Sequence, residues 1–152
     1  GSRIIARVVT ENGWMGPPVV YEPQRLMLLD LKRSYFEYGG RTPDIKELTP
    51  VETIAVSAVD SVGTRRYGNI ALVFTGTIVA LADTQASLTV TTHADDVVLY
   101  VDGRAVWDNR DDRSRRPRGG ETAAALKRGN HAFRLEHIHG KSKPTLDFEL
   151  KW

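Results

Sequence analysis

Two aspartates stand side by side at positions 95 and 96, just before an apolar run, within THADDVVLYVDGRAVWDN (residues 92–109). Adjacent carboxylates repel, and a strand entrance has no structural need for both, so the pair calls for cations or hydrogen-bond donors. Residues 109–120, NRDDRSRRPRGG, carry Arg110, Arg113, Arg115, Arg116 and Arg118 beside Asp111 and Asp112, with no aliphatic side chain. Such a stretch cannot bury a face. It reads either as a solvated connection or as a ligand-contacting loop, with acids suited to a metal and guanidinium groups suited to anions. His137 and His139 lie two apart on a strand pattern and so share a face, as some zinc sites require. A third ligand is not evident unless His93 or His131 is near, and partly exposed strand histidines are the plainer account. Of the three tryptophans, Trp107 and Trp152 fall on strand patterns and read as core. Trp14, in a Gly/Pro-rich segment, is the better candidate to stack on a sugar ring.

Other chemistries find little footing. A glycoside hydrolase needs two carboxylates across a cleft, and Glu37, Glu47 or Glu52 could be nominated only arbitrarily. There is no Gly-x-Ser-x-Gly, phosphate loop or dinucleotide fingerprint. The absence of cysteine removes disulfides, thiol catalysis and thiolate metal sites together. A formal charge of +2 is too small to argue for a nucleic-acid partner.

The elements that must position these residues are mostly β. In TLDFELKW, Leu146, Phe148, Leu150 and Trp152 alternate with Thr145, Asp147, Glu149 and Lys151, the period-2 signature of a half-buried antiparallel strand. HAFRLEHI repeats it, with Phe133, Leu135 and His137 opposite Arg134 and Glu136. Asp102-Gly103 between VVLYV and RAVWD supplies the positive φ angles of a two-residue hairpin turn. SLTVTT, ETIAVSAV and NIALVFTG read as further strands, whereas QRLMLLDLKR fits a short helix about as well as a strand. Many short strands with little helix predict an all-β antiparallel sandwich or distorted barrel. The core is expected to include Phe133, Leu135, Leu146, Phe148 and Leu150, with the last two strands antiparallel. The 152 residues suit one domain. Gly1-Ser2 reads as a cloning scar, so residues 3–152 are expected to be a single domain excised from a longer protein. No run approaches the ~18 apolar residues of a membrane span, and this piece shows no secretory signal.

The stretch FTGTIVALADTQASLTVTTHADDVVLYVDGRAVWDN resembles the PA-14 domain family, named from anthrax protective antigen. The resemblance lies in Phe74-Thr75-Gly76, Asp95-Asp96, the apolar strand 97–101, Asp102-Gly103 and Asp108-Asn109. Downstream, LKRGNHAFRLEHIHGKSKPTLDFELKW is similar to the family's last two strands, with its Leu-Lys-x-Gly turn at 126–129. MGPPVV and FEYGGRTPD resemble the amino-terminal strands more faintly. Two departures stand out: Gln85-Ala86-Ser87 replaces the usual Gly-x-Tyr, and Val97 follows the Asp pair where glycine or serine is common.

The resemblance implies a calcium site at Asp95 and Asp96, completed by Asn109 and Asp111 or Asp112 from the following loop. Calcium takes ~6–8 oxygen ligands and would relieve the repulsion within the pair. The alternative is that one aspartate caps a turn while the other pairs with an arginine. The resemblance further implies a non-catalytic carbohydrate-binding module with Asp95, Asp96 and Asn109 at its ligand, and residue chemistry adds Arg113, Arg115, Arg116 and Trp14 as contacts. Such a module would tether an enzyme or envelope protein, for example a glycosyltransferase or glycosidase, to glycan outside the cytoplasm. The parent is then expected to be membrane-anchored or secreted. The arginines, able to fork onto carboxylate or phosphate, point to an acidic glycan. The competing reading is a structural or protein-interaction domain that keeps the sandwich and has lost the sugar site.

Overall fold

The computed structural model describes residues 4–6, 19–21, 24–63, 68–112, 117–140 and 144–152. Trp14, Arg113, Arg115 and Arg116 lie outside the described residues. The described residues form eleven strands in chain order: β1 (Ile4–Ala6), β2 (Val19–Tyr21), β3 (Leu26–Glu37), β4 (Glu52–Ala55), β5 (Ile70–Ala80), β6 (Thr84–Thr91), β7 (Asp96–Val101), β8 (Arg104–Asp108), β9 (Gly120–Leu126), β10 (Gly129–His139) and β11 (Asp147–Lys151). The one helical element among the described residues is a single 3-10 turn, Ile45–Glu47.

The chain is an all-β antiparallel sandwich. A six-stranded sheet, in the order β4-β3-β5-β10-β7-β8, faces a three-stranded sheet, β11-β6-β9; β1 and β2 form a separate pair. Alternation decides what lies between the sheets. Ile70, Leu72 and Phe74 of β5, Val97, Leu99 and Val101 of β7, and Phe133 and Leu135 of β10 point inward. They meet Ala86, Leu88 and Val90 of β6 and Leu126 of β9, with Phe148 and Leu150 of β11 packed against them. Each fully buried large apolar side chain contributes ~1.5–3 kcal/mol. On the outer face, Ile45 of the 3-10 turn covers Phe36, Ala71 and Val73, which is why β5 is buried on both faces at its start.

One open alternative is decided and two expectations need correction. The ambiguous run 24–33 is strand, not helix, and a bulge between Leu29 and Lys32 interrupts it, with Asp30 at φ 54°. The last two strands are not paired: β10 lies inside the large sheet and β11 at the edge of the small one, hydrogen-bonded to β6. Trp152 is half exposed and not in the core, because β11 ends before it.

The bulge explains one glycine of the Phe-Thr-Gly segment. A Cβ at Gly76 would stand 2.9 Å from the Leu29 carbonyl oxygen, closer than side chains tolerate. The hairpin turn is as its sequence requires, with Asp102 at φ 51° and Gly103 at φ 77°.

Candidate functional site

The row Phe133, Leu135, His137, His139 on β10 runs along the inward face, so the two histidines close one end of the inter-sheet core. Both are fully buried, not partly exposed as their strand setting suggested. Their partner is Asp95, which enters from the loop between β6 and β7. Asp95 Oδ2 accepts from His137 Nε2 at 2.7 Å and from the Thr145 backbone N–H at 3.1 Å, while Oδ1 bonds His139 Nδ1. With the carboxylate ionised, both ring nitrogens facing it must carry protons, Nε2 of His137 and Nδ1 of His139. His137 Nδ1 is then buried without a partner among the described residues. Burial on its own would raise the Asp95 pKa; the bonds and charge of His137, with those from His139 and Thr145, outweigh it and hold the carboxyl below its usual value.

Asp96 goes the other way. Its Oδ1 accepts from Arg118 Nη1 at 2.7 Å, with Arg118 almost entirely buried. The same guanidinium donates to the Ala94 carbonyl at 3.0 Å, to the Asn109 carbonyl at 2.6 Å and, through Nε, to the Asp112 carbonyl at 3.1 Å. Glycines bring it there. A Cβ at Gly119 would lie 2.5 Å from the Val90 carbonyl, and one at Gly120 would lie 2.9 Å from Trp107 Nε1.

Asn109 is the bracket between these two halves. Its Oδ1 accepts from Val97 N at 2.8 Å, and its Nδ2 donates to the carbonyls of Asp95 at 2.9 Å and Arg118 at 3.2 Å. The side chain thus continues the β7 ladder where β8 has ended. Asp95, Asp96 and Asn109 are therefore brought together, whereas Asp111 stands exposed in the turn and joins none of these bonds. Arg110 is also committed, to Asp108 at 2.6 Å. Both arginines of this loop among the described residues, Arg110 and Arg118, are thus held by the protein itself.

As arranged, these side chains do not fit a calcium ion. Both oxygens of Asp95 are taken by donors, the Asn109 amide is used on both its atoms, and a guanidinium already fills the space against Asp96. Among the described residues, no group of three or more His, Asp or Glu side chains could hold a metal. The repulsion between the adjacent aspartates is relieved by turning them apart, one to two histidines and one to an arginine. That matches the arginine half of the alternative read from the sequence.

An open cleft of about 760 Å³ adjoins this cluster, lined by residues including Ser61, Thr91, Thr92, His93, Thr145 and Asp147. Thr92 and Thr145 connect it to Asp95: the Asp95 N–H donates to Thr92 Oγ1 at 3.4 Å, and Thr145 N holds the carboxylate. Thr145 Oγ1 in turn accepts from His93 N at 2.9 Å, and Ser61 Oγ donates to the Pro144 carbonyl at 3.1 Å. A second hollow of about 360 Å³ on the Arg118 side has Trp107, Asp108, Asp112 and Glu121 in its wall. Sequence reasoning passed over Ser61 and Thr145, and it counted Arg118 only as one of the loop's arginines. The Pro117-Arg118-Gly119-Gly120 run was the available signal, since paired glycines mark a close backbone approach.

The fold recurs in solved structures. An anti-sigma factor domain-containing protein from Clostridium clariflavum is similar at TM-score 0.63 and 20% identity, over 87% of this chain and 48% of that one. A β-glucosidase from Kluyveromyces marxianus, in complex with glucose, is similar at TM-score 0.60 and 13% identity, over 80% of this chain and 15% of its own. A GH31 α-xylosidase from Xanthomonas citri is similar at TM-score 0.53 and 17% identity, over 84% and 15%. This chain therefore spans about half or less of the length of each. No family model and no curated protein matches the sequence. What is shared is the sandwich, which occurs as a part of glycosidases.

Proposed function

We propose that the chain is a PA-14-like, non-catalytic carbohydrate-binding domain of a longer extracytoplasmic protein, membrane-anchored or secreted, that it tethers to glycan. The observation that carries this reading is the cleft beside Asp95. Its volume lies within the ~300–1,000 Å³ usual for ligand sites. Its walls offer the hydroxyls of Ser61, Thr91 and Thr145, the exposed imidazole of His93 and the carboxylate of Asp147, a donor and acceptor set suited to sugar hydroxyls. Asp147 is the one carboxylate among its lining residues, while hydrolysis of a glycosidic bond takes two. The occurrence of the sandwich within a β-glucosidase and an α-xylosidase supports an accessory role in sugar chemistry. The arginines at 113, 115 and 116, with Arg110 and Arg118 already committed, favour an acidic glycan.

The second reading, a protein-interaction domain without sugar binding, is favoured by one observation: both carboxylates of the Asp pair are spent inside the protein. A glycan array probed with the isolated domain separates the two. Binding to a defined set of glycans supports the first; a blank array at high protein concentration supports the second.

A further inference from the structure

We propose that Arg118 is a built-in cation for the Asp95–Asp96 loop, so that this chain needs no calcium to set it. Four of the five guanidinium N–H groups are used, and every acceptor is an oxygen: the Asp96 carboxylate and the carbonyls of Ala94, Asn109 and Asp112. One carboxylate with several backbone carbonyls is the kind of oxygen set that a hard divalent cation would otherwise attract. Arginine suits this cradle better than lysine, because its rigid fork reaches several oxygens at once and it stays protonated.

The surroundings hold the guanidinium in place. Arg118 N donates to the Thr92 and His93 carbonyls at 3.1 and 3.2 Å, and Gly119 N donates to the Thr92 carbonyl at 3.1 Å. The backbone just before the Asp pair is thus tied to the backbone that carries the cation. Asn109, which bonds the Arg118 carbonyl, closes the ring. Since Arg118 is only 5% exposed, its charge is spent within the loop and is not offered to a ligand. A ligand in the adjoining cleft would therefore bind without a bridging metal. That consequence rests on the carbohydrate reading; the replacement of calcium by Arg118 does not.

Thermal unfolding tests it without any glycan. The wild-type melting temperature should be the same in millimolar calcium chloride and in EDTA. Arg118→Met should melt lower by roughly 6–20 °C, because a half-buried carboxylate and three carbonyls lose the guanidinium they bond. Arg118→Lys should recover only part of that loss. Asp96→Asn combined with Arg118→Met should melt higher than Arg118→Met alone, since the carboxylate that lost its guanidinium is gone. A calcium-dependent rise in the wild type would overturn the proposal. If Arg118→Met does not fold, the calcium comparison on the wild type and the melting of Arg118→Lys still decide: a wild-type shift, or full stability of the lysine variant, contradicts it.

Discussion

His137 Nε2 lies 2.7 Å from Asp95 Oδ2, in a buried contact between residues 42 positions apart in the chain. The pair joins the end of β10 to the loop entering β7, and the wall of the cleft is built on it. The Asp95 carboxylate gathers both buried histidines and the Thr145 N–H at this end of the sandwich.

Acid should therefore loosen this end first. Asp95 is held below its unfolded value of ~3.9, so its contribution is complete above that value and is lost as pH falls through the folded one. Asp95→Asn should cost about 1–3 kcal/mol at neutral pH. It should also flatten the fall in urea midpoint between about pH 5 and 2.5 relative to wild type. Parallel curves for the two proteins would deny Asp95 this role.

The aromatic contact across the core makes a graded prediction. Phe133 is buried and Phe148 only half so, with ring centroids 5.1 Å apart. Phe133→Ala should cost ~3–5 kcal/mol and Phe148→Ala clearly less. Chemical denaturation measures both, and an equal or inverted order would contradict this packing of β11 on the large sheet.

A single methyl group should disturb the Arg118 cradle from outside it. Gly119→Ala places a Cβ 2.5 Å from the Val90 carbonyl, and backbone cannot yield as a flexible side chain can. A destabilisation of about 1–3 kcal/mol is expected, while Gly39→Ala, whose Cβ meets nothing within 4 Å, should be close to neutral. Similar melting temperatures for the two variants would refute the close approach.

Charge should govern which glycan is held. Arg113, Arg115 and Arg116 changed together to serine should weaken binding of acidic glycans, and that loss should shrink as salt rises. Unchanged binding would remove these three arginines from recognition.

Much of the fold could be read from the chain because its signals are local. The alternation in 145–152 placed Leu146, Phe148 and Leu150 against the core, and Asp102-Gly103 marked the hairpin. The run 24–33 resisted for a local reason too. The bulge at Asp30 shifts the inward face from Leu26 to Leu31, which blurs a period of two into something near a helical repeat. The site was legible in part. Asp95, Asp96 and Asn109 stood out by type and spacing, but their partners come from distant segments: His137, His139, Thr145 and Arg118. His137 carried a usable clue, since it shares parity with Phe133 and Leu135 and so had to be buried with a polar partner.

The central claim is that glycan is held in the cleft beside Asp95, and a binding isotherm tests it most directly. The glycan giving the strongest array signal would be titrated against wild type, Thr91→Trp and Glu149→Trp, each in EDTA. Thr91 is exposed on the cleft wall, so tryptophan there fills the space. Glu149, exposed on β11 and outside the cleft, serves as control. The account predicts that wild type and Glu149→Trp bind alike without calcium, and that Thr91→Trp loses at least tenfold in affinity, roughly 1.4 kcal/mol. Equal affinity of Thr91→Trp and wild type, or binding that appears only with calcium, would contradict it.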